Sequence, residues 1–83
     1  MAEPNPKELV DLGMLNYDKQ DFSKARKYFE KACDLNNGSG CGTLGFLYGM
    51  GKGVEKNLIK ADQYISKACK LGNQKACEIL KEK

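Results

Sequence analysis

Displaced by 36 positions, the sequence falls on itself. Phe22 lands on Leu58, Ala25 on Ala61, Tyr28 on Tyr64, Phe29 on Ile65, Ala32 on Ala68 and Leu35 on Leu71. Two cysteines land on two others, Cys33 on Cys69 and Cys41 on Cys77, while Leu44 meets Leu80 and the lysines 24 and 31 meet 60 and 67. A register held over so many positions means a chain built from repeated supersecondary units. Such units bury their apolar faces by stacking on one another.

The unit is helical. Phe22, Ala25, Phe29 and Ala32 advance by 3, 4 and 3 residues, and Leu58, Ala61, Ile65 and Ala68 do the same. That spacing puts each set on one stripe of a helix. A shorter stripe, Leu9, Leu12 and Gly13, recurs 32 residues on as Cys41, Leu44 and Gly45, so the second unit carries four extra residues in the segment from Gly49 to Asn57. Asn5-Pro6-Lys7-Glu8 has the residues of a helix start, with a capping Asn, a Pro in the first turn and an acid three residues after the cap. Asp21, Asn57 and Asn73 stand where later helices need N-caps, and Asn36-Asn37-Gly38 and Gly72 are stop signals. The pattern predicts helices over 6–19, 22–35, 39–50, 58–71 and 74–82. The expected fold is all-α: an α/α solenoid of two helix pairs, 6–37 and 38–72, after an extension over 1–5. A final helix within 73–83, ending Lys81-Glu82-Lys83, reads as a polar cap.

Size sharpens the question of what holds such a stack together. A chain of 83 residues buries only about 60–65% of its unfolded surface, and small scaffolds of this kind need a staple beyond packing. Apolar residues make up 41% and charged residues 30%, a folded-domain composition, and no apolar run approaches membrane-spanning length. The net charge of +3 is too mild for a nucleic-acid footprint, and there is no histidine to act as general base or metal ligand.

Gly13, Ala25 and Ala32, spaced by 12 and 7, with Leu9, Leu12, Phe22 and Phe29 around them, resemble the tetratricopeptide repeat. Leu44-Gly45-x-x-Tyr48-x-x-Gly51-x-Gly53-Val54, followed by Asn57-x-x-Lys60-Ala61-x-x-Tyr64-x-x-Lys67-Ala68, is similar to the Sel-one-like variant of that repeat. Lys-Ala-Cys-x-Leu with a second Cys eight residues after the first occurs twice, and this resembles the cysteine-rich Hcp family of secreted bacterial repeat proteins. The likeness covers roughly residues 7–81 and implies antiparallel helix pairs stacked in a right-handed superhelix. Two units are few for that family. Met1-Ala2-Glu3-Pro4 lacks the apolar core of a secretory signal, so a mature fragment or an engineered miniature is expected.

In each unit the first Cys lies near the end of one helix and the second near the start of the next. Neighbouring antiparallel helices about 8–10 Å apart can bring such side chains together. Of three connectivities, the local one, Cys33–Cys41 and Cys69–Cys77, is the expected pairing. Each bond closes a short loop worth about 2.5 kcal/mol on the loop-entropy account, and the pair implies an oxidising compartment, secreted or periplasmic. A zinc site made of four cysteines wants two to four residues between paired cysteines, whereas seven intervene here. The C-x-x-C of redox catalysis is absent. Reduced, buried thiols of a cytosolic protein are the remaining alternative.

Other chemistry is poorly served. Gly49-Met50-Gly51-Lys52-Gly53 has neither the spacing nor the Ser/Thr of a P-loop, and Gly40, Gly42 and Gly45 match G-x-G-x-x-G in letters but follow no strand. Hcp-like proteins are associated with penicillin binding and β-lactamase activity. The S-x-x-K of serine β-lactamases needs Lys three residues after Ser23, Ser39 or Ser66, and those positions hold Arg26, Gly42 and Cys69. S-D-N and K-T-G are absent too, so no catalytic residue, metal or cofactor is expected. Asp18 and Asp21 flank a turn and read as capping residues.

Binding is the better prospect. Tetratricopeptide-like stacks bind along the concave face formed by the first helix of each pair. Transferred residue by residue, that face is Lys7, Val10, Met14 and Tyr17 in one unit and Ser39, Gly42, Phe46 and Met50 in the next. An apolar stripe with a Tyr hydroxyl and an adaptable Met suits a protein or extended peptide segment, with Val10, Met14, Tyr17, Gly42, Phe46 and Met50 as candidate contacts. A structural miniature in which these residues only pack on one another is the alternative. The lysine-rich clamp for a carboxylate tail is not expected, because Val10 and Met14 stand at its Lys and Asn positions. Lys24, Lys27 and Lys31, interspersed with Glu30 and Asp34, read as a solvated outer face. Neither nucleic acid nor membrane is an expected partner, and the chain is expected to be a monomer or to self-associate weakly.

Overall fold

The computed structural model describes residues 5–82. Its five helices are α1 (Pro6–Asp18), α2 (Phe22–Asp34), α3 (Gly38–Met50), α4 (Leu58–Lys70) and α5 (Gln74–Lys81), and no strand occurs among the described residues. Each helix packs chiefly on the next in the chain, giving an elongated slab of 41 × 25 × 17 Å. This is the all-α solenoid the periodicity implies, two helix pairs followed by a single helix. The described helix ends fall within one residue of the sequence-based expectation.

One corner is used three times. The residue before each cap takes a left-handed backbone: Gln20 (φ 65°), Asn36 (φ 64°) and Gly72 (φ 97°). The next amide turns back five residues to a helix carbonyl, Asp21 to Asn16 at 2.9 Å, and Asn37 to Ala32 and Asn73 to Ala68 at 3.0 Å. This Schellman closure satisfies carbonyls that would otherwise be orphaned. The same cap residue then starts the next helix, its side chain accepting from the Lys24, Gly40 or Ala76 amide. Asn37 is thus a start signal as well as part of a stop, which is why α3 opens at Gly38 rather than at residue 39. Such short corners leave the chain no geometry but reversal, so neighbouring helices run antiparallel.

The core runs along the slab. Ala25, Phe29, Ala32, Leu44, Leu47 and Ala68 are fully buried, with Tyr48, Ala61 and Ile65 nearly so. Close approach depends on missing side chains. A Cβ on Gly13 would lie 2.7 Å from the Phe29 ring, and one on Gly45 would lie 2.9 Å from Ile65 and 3.0 Å from the Ala61 carbonyl oxygen. The repeat therefore uses the same device twice, a glycine on the first helix seating the large residue of the second.

Two residues expected in the apolar stripes are exposed instead, and both lie at an end of the stack. Leu12 occupies the position of fully buried Leu44, yet it is 41% exposed, because among the described residues no helix precedes α1 as α2 precedes α3. Leu58 occupies the position of Phe22 and is 61% exposed. The extra residues of the second unit explain the contrast. Their loop folds back over the first unit, so that Lys52 Nζ sits 4.9 Å from the Phe22 ring centre and Arg26 Nε donates to the Gly53 carbonyl at 3.2 Å. No described segment covers Leu58 in that way.

Candidate functional site

The first helices of the units, α1 and α3, line up with α5 around an open groove of about 450 Å3. Met14 and Tyr17 form one wall, while Gly42, Thr43 and Phe46 of α3 form the middle. Ala76 and Ile79 form the far wall, and Ile65 of α4 reaches the groove between the helices. Met14, Phe46 and Ile79 are 43%, 47% and 47% exposed. Large apolar side chains left half in water along a concavity form the kind of surface that gains by covering.

Polar groups sit at the edges. Asn73 accepts from the Ala76 amide at 3.1 Å and donates through Nδ2 to the Gly38 carbonyl at 3.2 Å, tying the starts of α3 and α5 together. Gly42 makes room for that reach, since a Cβ there would stand 2.9 Å from Asn73 Nδ2. Ser39 and Lys75 complete this end, and Lys75 is the one ionised side chain among the described residues lining the groove. At the opposite wall, Lys52 Nζ donates to the Tyr17 hydroxyl at 3.2 Å and lies 5.2 Å from its ring centre. Tyr17 in turn meets Phe22 edge to face at 5.2 Å, so its ring is held by neighbours on both sides.

Of the six residues expected to bind, the groove gathers Met14, Tyr17, Gly42 and Phe46. Val10 packs against the core, and Met50, 55% exposed on the last turn of α3, lies outside the groove lining. Thr43, Ile65, Asn73, Lys75, Ala76 and Ile79 join the lining without having been expected there. The contributions of α5 were available from the repeat itself. The 36-residue shift carries Ser39 to Lys75, Gly40 to Ala76 and Thr43 to Ile79, so a helix read as a polar cap also carries the third unit's share of the concave face.

Away from the groove, α2 and α4, with Leu44 of α3, line a smaller depression of about 360 Å3 formed by Lys27, Glu30, Lys31, Asp34, Leu44 and Tyr64. Tyr64 stacks on Tyr48 at 5.5 Å. Burial is the main cause that raises its hydroxyl above the ordinary value of 10.0; Tyr48, Glu30 and Asp34 push the same way, and Arg26 opposes them. Arg26 is itself engaged with Glu30 at 2.8 Å. Lys67, the counterpart of Lys31 in the next unit, donates to the Cys33 carbonyl at 3.2 Å and bridges the two units.

The cysteines are joined as Cys33–Cys41 and Cys69–Cys77, with Cα atoms 4.5 and 4.7 Å apart. Each bond links the last turn of a second helix to the first turn of the helix that follows. Gly40 permits the first approach, for a Cβ there would meet the Ala32 methyl at 2.7 Å. No helix among the described residues is long and apolar enough to cross a membrane.

Comparison with known proteins agrees with this geometry. The tetratricopeptide repeat family matches residues 6–39 and the Sel1 repeat family residues 43–73. The chain thus carries a tetratricopeptide repeat followed by a Sel1 repeat. It is 66% identical over 58 residues to HcpC of Helicobacter pylori strain J99, to which β-lactamase activity is ascribed by name only; the match takes in 70% of this chain and 20% of HcpC. It is 57% identical over 58 residues to a protein of that strain named β-lactamase HcpA, covering 70% of this chain and 23% of HcpA. The solved structure of Helicobacter pylori cysteine-rich protein B superposes with a TM-score of 0.80 at 38% identity, over 89% of this chain and 59% of that one. The chain spans about a fifth of the curated Hcp relatives it matches.

Proposed function

We propose that this chain is a non-catalytic interaction module that holds an extended protein segment in the groove between α1, α3 and α5. The observation that carries the reading is the row of half-exposed Met14, Phe46 and Ile79 along a concavity kept open between them by the small residues Ser39, Gly42, Thr43 and Ala76. Alternate side chains of an extended segment would seat against those three, as in other helix-lined peptide sites. Lys75, the ionised group among the described groove residues, favours a segment with a carboxylate at that end. Two disulfides suit an oxidising setting, and with the likeness to the Hcp proteins they support a secreted or periplasmic location.

An array of twelve-residue peptides combining apolar and acidic positions, probed with the purified protein, tests the reading. Binders are expected to weaken at least tenfold with Met14→Ala combined with Phe46→Ala, at unchanged helicity. An array without binders, or binding indifferent to both substitutions, refutes it. The names of the Hcp relatives raise β-lactam turnover as a second reading. The residues three places after each serine are Arg26, Gly42 and disulfide-bonded Cys69, and none can serve as the base of that reaction. Turnover of a chromogenic cephalosporin would restore it.

A further inference from the structure

The two disulfides look alike in sequence, but the folded chain makes them different. Cys33 and Cys41 are 1% and 0% exposed, enclosed between α2 and α3 among Phe29 and Leu44. Cys69 and Cys77 are partly exposed, at the end of the stack. Their bond also carries more of its element's attachment. As a helix, α5 packs substantially only on α4, buries the single residue Ala76, and reaches α3 through the Asn73 side chain. It has eight residues, too few for a helix to persist in water without tertiary support.

We infer that Cys69–Cys77 is a redox latch: a dithiol reductant opens it selectively and releases α5, removing the far wall of the groove while the rest of the stack stays folded. A reductant thiolate attacks one sulfur of the pair, forming a mixed disulfide and freeing the other cysteine as a thiol. The reductant's second thiol then displaces the protein sulfur. Two electrons and two protons pass to the protein, giving the Cys69 and Cys77 thiols and the oxidised cyclic or protein disulfide of the reductant. Attack needs an approach along the S–S axis, which enclosure denies to Cys33–Cys41 and partial exposure grants to Cys69–Cys77. Once open, the connection from Leu71 to Asn73 is the only covalent tie left to α5, and Ala76 and Ile79 leave the groove with it. The consequence for ligand binding rests on the proposed peptide reading; the latch itself does not.

Stepwise reduction of the wild-type protein with dithiothreitol, quenched with iodoacetamide and mapped by peptide mass, reads the selectivity. Hydrogen exchange on the same samples reads the release. Cys69 and Cys77 are expected to label at least tenfold faster than Cys33 and Cys41. In the singly reduced protein, amides of Cys77 to Lys81 should exchange at least tenfold faster, with those of α2 and α3 unchanged. Equal or reversed labelling overturns the inference, as does α5 protection that survives reduction or is already absent in the oxidised protein. The peptide array separates this from the binding reading. Binders retained after selective reduction defeat the gating and spare the groove, whereas an array with no binder to the oxidised form defeats the groove and leaves the latch to the labelling and exchange results.

Discussion

Gly13 fixes the distance between α1 and α2, and replacing it with alanine tests how far this fold depends on that approach. The new methyl would lie 2.7, 2.8 and 3.0 Å from three atoms of the Phe29 ring. The ring is fully buried and cannot swing away, so α1 must move outward by several tenths of an ångström. Alanine in a helix interior is favoured over glycine by about 1 kcal/mol, while overpacking a well-filled core costs about 1–3 kcal/mol. Because three rigid contacts are violated at once, the upper part of that range applies and the net loss is about 1–2 kcal/mol. A urea titration followed at 222 nm should show the midpoint falling by about 1–2 M, given a slope near 1 kcal/mol/M for a small domain. Phe29→Leu alone should also destabilise, by about 1–2 kcal/mol, through the space it leaves. Together the two changes should cost less than their sum by about 1 kcal/mol or more, since the methyl occupies part of that space. Strict additivity within about 0.5 kcal/mol, or a Gly13→Ala protein more stable than the parent, would refute the argument that ring and glycine are complementary.

Other consequences are smaller and quicker to check. Gln20→Gly relieves a left-handed backbone at φ 65° and should raise stability by about 0.5–1 kcal/mol, read as a higher Tm; a lower Tm would contradict the corner described here. Lys52→Ala removes both the hydrogen bond to Tyr17 and the cation over the Tyr17 and Phe22 rings, for a loss of about 1–2 kcal/mol, whereas Lys56→Ala in the same loop should change little. Asn57→Ala removes a cap alone, about 1 kcal/mol, and Asn73→Ala removes a cap and the tie to Gly38, so the second should cost more in calorimetry. Tyr64 has its hydroxyl pKa raised by burial above 10.0. The unfolded chain therefore ionises first as pH rises past 10, and stability should decline there while being unaffected below it. Absorbance at 295 nm should show one late-titrating tyrosine that Tyr64→Phe abolishes.

Helix number, helix ends and cysteine pairing were legible because they are local. A cap residue and a 3.6-residue stripe act within one or two turns, and each disulfide spans eight residues across a single corner. Gln20 carries no such signal, since its left-handed conformation is imposed by the corner and not by its own preference. Leu12 and Leu58 have the same chemistry as Leu44 and Phe22, and no local rule says which copy will be covered. Burial in a stack depends on having a neighbour, and a repeat pattern does not mark its own ends.

The groove shows the same division. The apolar stripe on α1 and α3 supplied Met14, Tyr17, Gly42 and Phe46, whereas Val10 faces the core and the α5 wall was missed. Read alone, the amino-acid order determined the periodic unit, its turns and which sulfurs lie close enough to join. Only the packed chain decided which of two equivalent positions is wet, which disulfide is sheltered and how three separate helices come to share one concavity. The reason is one of range: hydrogen bonds and dihedral preferences act over a few residues, while exclusion of water is a property of whatever other surface arrives.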